Sequence, residues 1–166
     1  MAAPPQIRVL FLCLGNICRS PLAEGVFRAH VEARGDARRF VADSAGTSNA
    51  HEGEPPDPGS IRAARRHGMD ISTQRSRPLT PADLDRFDFI VPMDSRNARA
   101  LSALPPHRRP RIREFDPEAL HGFDVPDPWS CGDDAFEEVW RILDRSMPGL
   151  LRHIDHHGPQ TGRAGE

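Results

Sequence analysis

The stretch from Ile7 to Pro21 reads IRVLFLCLGNICRSP, and the fold turns on it. Six mostly apolar residues, Ile7 to Leu12, run straight into Cys13. Ile7, Val9, Leu10, Phe11 and Leu12 are too apolar for a half-exposed strand. They suit one covered on both faces, as in a parallel sheet. A short loop holding Gly15 and Asn16 follows and closes on Arg19-Ser20-Pro21. Beyond Pro21 the apolar residues recur at helical spacing, and Pro just after Ser is a helix start signal. The order is strand, tight loop, helix N-terminus, with a thiol where the loop opens and a guanidinium where it closes.

Such a loop has a specific physics. Wrapped around a point, its backbone N–H groups from Leu14 to Cys18 converge there, and the helix behind adds partial positive charge. Gly15 and Asn16 tolerate the left-handed backbone that such a nest needs. An oxyanion fits the nest, and Arg19 can grip two of its oxygens with a planar fork that Lys lacks. The same field favours a nucleophilic sulfur at Cys13. A phosphate bound there would sit with its phosphorus above that sulfur. Spacing alone proves little: with 3 Cys and 22 Arg in 166 residues, about 0.4 Cys–Arg pairs six apart arise by chance. The weight lies in the whole string CLGNICRSP, set between a buried strand and a helix. A nucleotide-binding P-loop is excluded, because no Gly-Lys-Ser/Thr follows.

Length and composition frame this site. A chain of 166 residues suits one domain with a real core. Hydrophobic content of 37% and charged content of 28% fit a soluble globular protein, and a net charge of -2 gives no reason to expect nucleic acid or an acidic membrane surface. All 22 basic residues are Arg. Three Cys do not make a disulfide framework and point to a reducing cytoplasm. Residues 1–6 are too short for a signal peptide, and no apolar run is long enough to span a membrane.

The first helix is expected over Pro21 to Arg34, with Leu22, Ala23, Val26, Phe27 and Val31 on one face and Gly35 at its end. A second strand spans Arg39 to Ala45. Residues 49–60 are loop, and a helix follows from Pro58 to His67. Thr80-Pro81 starts another helix. A third strand, Phe87 to Val91, ends at Pro92. Asp94 caps a helix from Ser95 to Leu104, and Pro105 to Pro110 reads as a solvated basic loop. A fourth strand is predicted at Arg111 to Phe115, then a long loop from Asp116 to Asp133. The final helix carries Phe136, Val139, Trp140, Leu143, Met147, Leu150, Leu151 and Ile154 in one stripe, with a kink or break expected at Pro148-Gly149. His153, His156 and His157 read as a solvated helix end, since no Cys or carboxylate cluster completes a structural metal site. Residues 158–166 read as a flexible tail behind a domain of residues 1–157. The prediction is a single-domain α/β protein, with a four-stranded parallel sheet and helices on both faces in a flavodoxin-like arrangement. Ligands bind such sheets at the carboxyl ends of the strands, where Cys13, Ser44, Asp94 and the loop holding Asp127 would meet.

The string VLFLCLGNICRSPLAE resembles the N-terminal signature of the low-molecular-weight protein tyrosine phosphatases. The resemblance continues through DSAGTS (Asp43 to Ser48), GEPPDPGS (Gly53 to Ser60), His67-Gly68, MDSRN (Met93 to Asn97) and DPW (Asp127 to Trp129). It covers nearly all of residues 7–155. It implies two-step phosphoryl transfer: Cys13 attacks phosphorus to form a phosphocysteine, while Arg19 and the nest hold the equatorial oxygens. Among 24 acids, it selects Asp127 as the proton donor, with Asp124 as the rival. It gives Ser20 a hydrogen bond to the sulfur and Asn16 the loop's shape, with Ser44 as partner. Asp94 and Asn97 would support from behind, and Trp129 would wall the cleft where the family usually has Tyr. Two positions depart from the pattern. Ala50, followed by His51, stands where a large aromatic is usual, and Gln74 stands where the family often has His before its Arg, here Arg77.

The expected protein is thus a cytoplasmic monomer acting on phosphotyrosine-containing proteins. Inorganic phosphate or another oxyanion would be product or inhibitor, and no metal, organic cofactor, nucleic acid or membrane enters. Oxidation of Cys13, with Cys18 within disulfide reach along the loop, is an expected redox control. Thiol-dependent arsenate reductases share the loop, but they relay electrons through a further cysteine pair that Cys18 and Cys131 do not make. Phosphoarginine phosphatases carry Thr where this chain has Ile17, so Ile17 favours phosphotyrosine. A non-catalytic phosphate-binding module would have no use for Cys13, Arg19 and Asp127 together.

Overall fold

The computed structural model describes residues 5–161. Strands β1 (Ile7–Cys13), β2 (Phe40–Gly46) and β3 (Phe89–Pro92) form a parallel sheet in the order β2-β1-β3. The central strand is the apolar run Ile7–Cys13, in which Val9, Leu10, Phe11 and Leu12 are wholly buried. Successive side chains of a strand point to opposite faces, so β1 feeds two cores. Val9 and Phe11 join residues of α1 (Arg19–Ala33), α2 (Pro58–Arg66) and α5 (Asp133–His157) on one face. Leu10 and Leu12 meet Phe87, Ile90, Leu101 and Leu104 on the other. Here lie α3 (Pro81–Arg86) and the single-turn helix α4 (Ser95–Ala98), which passes into a 3₁₀ turn over Arg99–Leu101. The helix expected to reach Leu104 is therefore shorter, and β3 begins two residues later than expected.

The sheet has three strands, not four. Residues Ile112–Phe115 form a 3₁₀ turn, with Glu114 N–H donating to Arg111 O at 3.0 Å and Asp116 N–H to Arg113 O at 3.1 Å. Ile112 and Phe115 are three apart, the spacing that aligns side chains in a 3₁₀ turn. Ile112 is wholly buried, and Phe115 lies so close to Gly149 of α5 that a Cβ on that glycine would be 2.7 Å from it. Contact with α5 decides this segment, and Pro110 before it has no N–H for a ladder.

Helix α5 runs through Pro148 without ending. A proline inside a helix costs about 3 kcal/mol. Each fully buried Leu, Ile, Met or Phe contributes about 1.5–3 kcal/mol, and Phe136, Val139, Ile142, Leu143, Met147, Leu150, Leu151 and Ile154 are all buried along the stripe. The packing outweighs the break. The first helix starts at Arg19, two residues early, so Pro21 lies within its first turn.

The basic loop is not a solvated patch. Arg108 donates to the carbonyls of Leu84, Phe87 and Asp88, and Arg109 to that of Leu104. His153 is half-buried against Phe89 and Phe115, with its Nε2 2.7 Å from His107 O. In the expected tail, Gln160 and Thr161 donate backbone N–H bonds to Asp88 Oδ1 at 2.8 and 2.9 Å. Residues 162–166 lie outside the described residues. Among the described residues, no helix is long and apolar enough to cross a membrane.

Candidate active site

The loop after β1 is shaped from outside. Pairing with β2 continues past the strand end, with Thr47 N–H donating to Cys13 O and Ser48 N–H to Leu14 O, both at 2.9 Å. Only glycine fits at position 46, since a Cβ there would be 2.8 Å from Leu14 O. Three carbonyls of the loop are then drawn outward. Gly15 O accepts from Ser76 Oγ at 2.9 Å, Ile17 O from Asp57 N–H at 2.7 Å, and Cys18 O from Ser60 Oγ at 2.8 Å. In a trans peptide the N–H points opposite the C=O. The N–H groups of Asn16, Cys18 and Arg19 are therefore turned inward, and that of Asn16 lies 3.3 Å from Cys13 Sγ.

The left-handed residue of the loop is Asn16, with φ 55°. Gly15, expected to share that role, has no positive φ; it is small because His51 lies over it, 3.1 Å from where its Cβ would be. The Asn16 side chain is the hub. Its Nδ2 donates to Ser20 Oγ at 2.8 Å and Ser44 Oγ at 2.9 Å, and its Oδ1 accepts from Arg77 N–H at 3.0 Å. Ser20 Oγ, which accepts from Asn16, has two acceptors within reach of its own proton, Cys13 Sγ at 3.1 Å and Ala45 O at 3.4 Å. Behind the hub, Arg77 pairs with Asp43 and Asp83, each at 3.0 Å. Ser44 Oγ lies 3.5 Å from Gln74 Oε1.

Arg19 is 3% exposed, and its atoms divide into two sets. Nη1 donates to Asp94 Oδ2 at 2.7 Å and to Val125 O at 3.0 Å. Nε is buried without a hydrogen-bond partner, and Nη2 is 3.9 Å from Asp127 Oδ2. The Nε–Nη2 edge is thus the one open to a bidentate oxyanion. Burial opposes the guanidinium charge, but Cys13, Asp94 and Asp127 outweigh it, and the pKa is raised. Asp94 also caps α4 by accepting from Asn97 N–H at 2.8 Å. Asn97 itself is buried and stands one step further from the pocket.

Cys13, Leu14, Gly15, Ile17, Cys18, Arg19, Asp127 and Trp129 line one cavity of about 250 Å³. Asn16, Ser20 and Ser44 lie behind it. Asp127 is half-exposed at the rim and accepts from Trp129 N–H at 3.1 Å. The rival acid, Asp124, is spent elsewhere: Ser95 N–H and Oγ hold its two oxygens at 2.9 and 3.3 Å. Sequence reasoning missed Asp57, Ser60 and Ser76, which turn the carbonyls, and His51, which covers Gly15 and is held by Glu54 Oε2 at 2.7 Å. A serine in the first turn of a helix or in a polar loop carries no signal of such a role, and only the carbonyls' need for donors outside the loop could have prompted a search.

Residues 8–160 match the model of the low molecular weight phosphotyrosine protein phosphatases. The chain belongs to that family. A low molecular weight protein-tyrosine-phosphatase of Streptomyces coelicolor is 41% identical over 89% of this chain and 93% of its own length. Bacillus subtilis YfkJ, a phosphatase of the same name, is 37% identical over 90% of this chain and 96% of its own. The crystal structure of YfkJ superposes with a TM-score of 0.83, covering 94% of this chain and 99% of that one. A protein tyrosine phosphatase of Entamoeba histolytica, solved with Hepes in its active site, gives 0.84 at 30% identity over 92% and 99%. Ala50 and His51, the positions where a large aromatic was expected, line the cavity together with Trp129.

Proposed function

We infer that the protein hydrolyses phosphotyrosine on proteins through a phosphocysteine at Cys13. The observation that carries this is the division of Arg19. One side of the guanidinium is fixed by Asp94 and Val125, while the buried, unpartnered Nε faces the nest whose floor is the Cys13 sulfur. In the first step, the sulfur attacks phosphorus in line, the S–P bond forms, and the P–O bond to tyrosine breaks. The inward N–H groups and Arg19 hold the equatorial oxygens by fixed electrostatics. Asp127 gives its proton to the leaving oxygen, then takes one from the water that cleaves the S–P bond. Ser20 steadies the sulfur as nucleophile and as leaving group. Asn16 and Ser44 keep the loop in shape, Asp94 aims Arg19, and Asn97 positions Asp94. Trp129 and Ile17 face the aromatic ring of the substrate, and Ile17 leaves no hydroxyl for a guanidinium.

The substrates are phosphotyrosine-containing proteins, with inorganic phosphate and other oxyanions binding the same nest; the protein acts in the cytoplasm as a monomer. The test is one assay with an aryl phosphate, phosphotyrosine peptides and phosphoarginine peptides. Turnover of the first two and little of the third is expected. A preference for phosphoarginine would overturn the reading.

A further inference from the structure

A second cavity, of about 610 Å³, adjoins the first. Ile17, His51 and Trp129 line both, so the two form one groove that leaves the phosphate loop and runs along α2. Its floor is apolar, built from Pro55, Pro56, Pro58 and Ile61, and Arg62 and Arg65 stand beside it. The charged groups along it are nearly all committed. Glu54 holds the His51 ring, and Asp57 caps α2 by accepting from Gly59 N–H at 2.8 Å. Arg62 makes a two-pronged pair with Asp133, with its shortest contact at 2.8 Å. The side chain of Arg65, exposed in the last turn of α2, has no ion pair or hydrogen bond among the described residues; Asp70 feels its charge without pairing. One uncommitted cation thus sits at the far end of a groove that begins at the catalytic cavity.

We propose that this groove seats the substrate chain on one side of the phosphotyrosine, and that Arg65 reads a Glu or Asp side chain there. The proposal rests on the phosphotyrosine reading above and gives it a substrate preference. The reach can be set from geometry. Asp57 N–H bonds Ile17 O at 2.7 Å, so the start of α2 touches the phosphate loop. From there to Arg65 the helix rises about 12 Å at 1.5 Å per residue. An extended peptide advances about 3.3–3.6 Å per residue, and the Arg and Glu side chains shorten the span. The acidic residue therefore lies about two to four positions from the phosphotyrosine. The pair forms at the surface, so its effect is that of an exposed ion pair, about two- to fivefold. It falls on KM rather than kcat, because no contact is made with the reacting phosphoryl group.

The experiment uses alanine-based phosphotyrosine peptides with one Glu placed at each of five positions on either side, compared by kcat/KM at low salt. Wild type should favour Glu over Ala about two- to fivefold, at a position two to four residues away on one side only. R65A should bring that ratio to one, and R65E should reverse it in favour of an Arg-bearing peptide. Even rates across the peptides, or a Glu preference that survives in R65A, would overturn the subsite and leave phosphotyrosine hydrolysis standing. Failure of every phosphotyrosine peptide beside turnover of a phosphoarginine peptide would overturn both.

Discussion

The two loops that meet at the cavity are built in opposite ways. In the loop from Cys13 to Ser20, Cys13, Asn16, Arg19 and Ser20 are all at most 3% exposed, and side chains or backbone from three other segments hold its polar atoms. In the acid segment, residues 116–132, Leu120 is 83% and Trp129 57% exposed. A few tethers hold it, among them Val125 N–H to Met93 O at 2.8 Å and Arg113 Nη1 to Asp124 O at 2.8 Å. The difference suits the two tasks proposed for these loops. Charge stabilisation works by dipoles that need not reorganise as the reaction proceeds. Proton transfer needs a group that serves first a leaving oxygen and then a water. The first task favours a buried, over-determined loop, and the second a rim residue open to solvent.

Mutations should separate the two regions. The largest effect belongs to the floor of the buried loop. Cys13→Ser should bring turnover to background while inorganic phosphate still binds, because a hydroxyl in that nest is a poor nucleophile. Substantial turnover in the purified variant would remove the sulfur from the mechanism. At the open rim, Asp127→Ala should lower kcat/KM for phosphotyrosine, which reports the first step alone, about 10²- to 10⁴-fold. Aryl phosphates with good leaving groups should lose far less. Equal losses across leaving groups would transfer the proton donor's role to another acid.

The backing of the buried loop should show in stability. Burial opposes the Asp83 carboxylate charge, but Arg77 and the Thr80 N–H outweigh it, and its pKa is lowered. A carboxylate whose folded pKa lies below its unfolded value stabilises above that value, and loses the contribution as pH falls through the folded pKa. Asp83→Asn should therefore lower Tm at pH 5 and above by at least about 5 °C, with the gap to wild type closing below about pH 3.8. Phosphate should also inhibit the variant less, since Arg77 carries the N–H that anchors Asn16. A gap that stayed constant with pH would disconnect Asp83 from this network.

The smallest effect concerns oxidation. Burial, then Asp57 and Cys13, push the Cys18 thiol well up, so it is held protonated. A protonated thiol is slow to attack an oxidised partner. Wild type should recover from peroxide, on adding a thiol reductant, only modestly better than Cys18→Ser at neutral pH, and the advantage should grow as pH rises. Equal recovery at every pH, with no Cys13–Cys18 linkage by mass spectrometry, would leave Cys18 without a protective part.

What the sequence made legible follows the same divide. The apolar run into Cys13 and the string closing on Arg19 marked the central strand and the tight loop that folds back on the Cys13 sulfur, because continuous burial and loop chemistry leave strong local patterns. The Asp94 cap was readable for the same reason. The segment Ile112–Phe115 was misread, because four residues with apolar positions three apart fit a short strand on paper, and only Gly149 of α5 decides between the two. Pro148 misled because its local cost is visible and the packing that offsets it is not. The two serines that aim the loop's carbonyls, Ser60 and Ser76, stand 42 and 61 residues along the chain from the carbonyls they hold, and nothing local marks them.

The central claim is that the sulfur of Cys13 carries the phosphoryl group between the two steps. Rapid-quench mass spectrometry of the protein during turnover of a phosphotyrosine peptide tests it directly. The expected result is a single phosphoryl adduct on the peptide containing Cys13, chasing to free phosphate on further incubation. A phosphoryl group on any other residue, or steady turnover with no adduct at any quench time, would contradict the account.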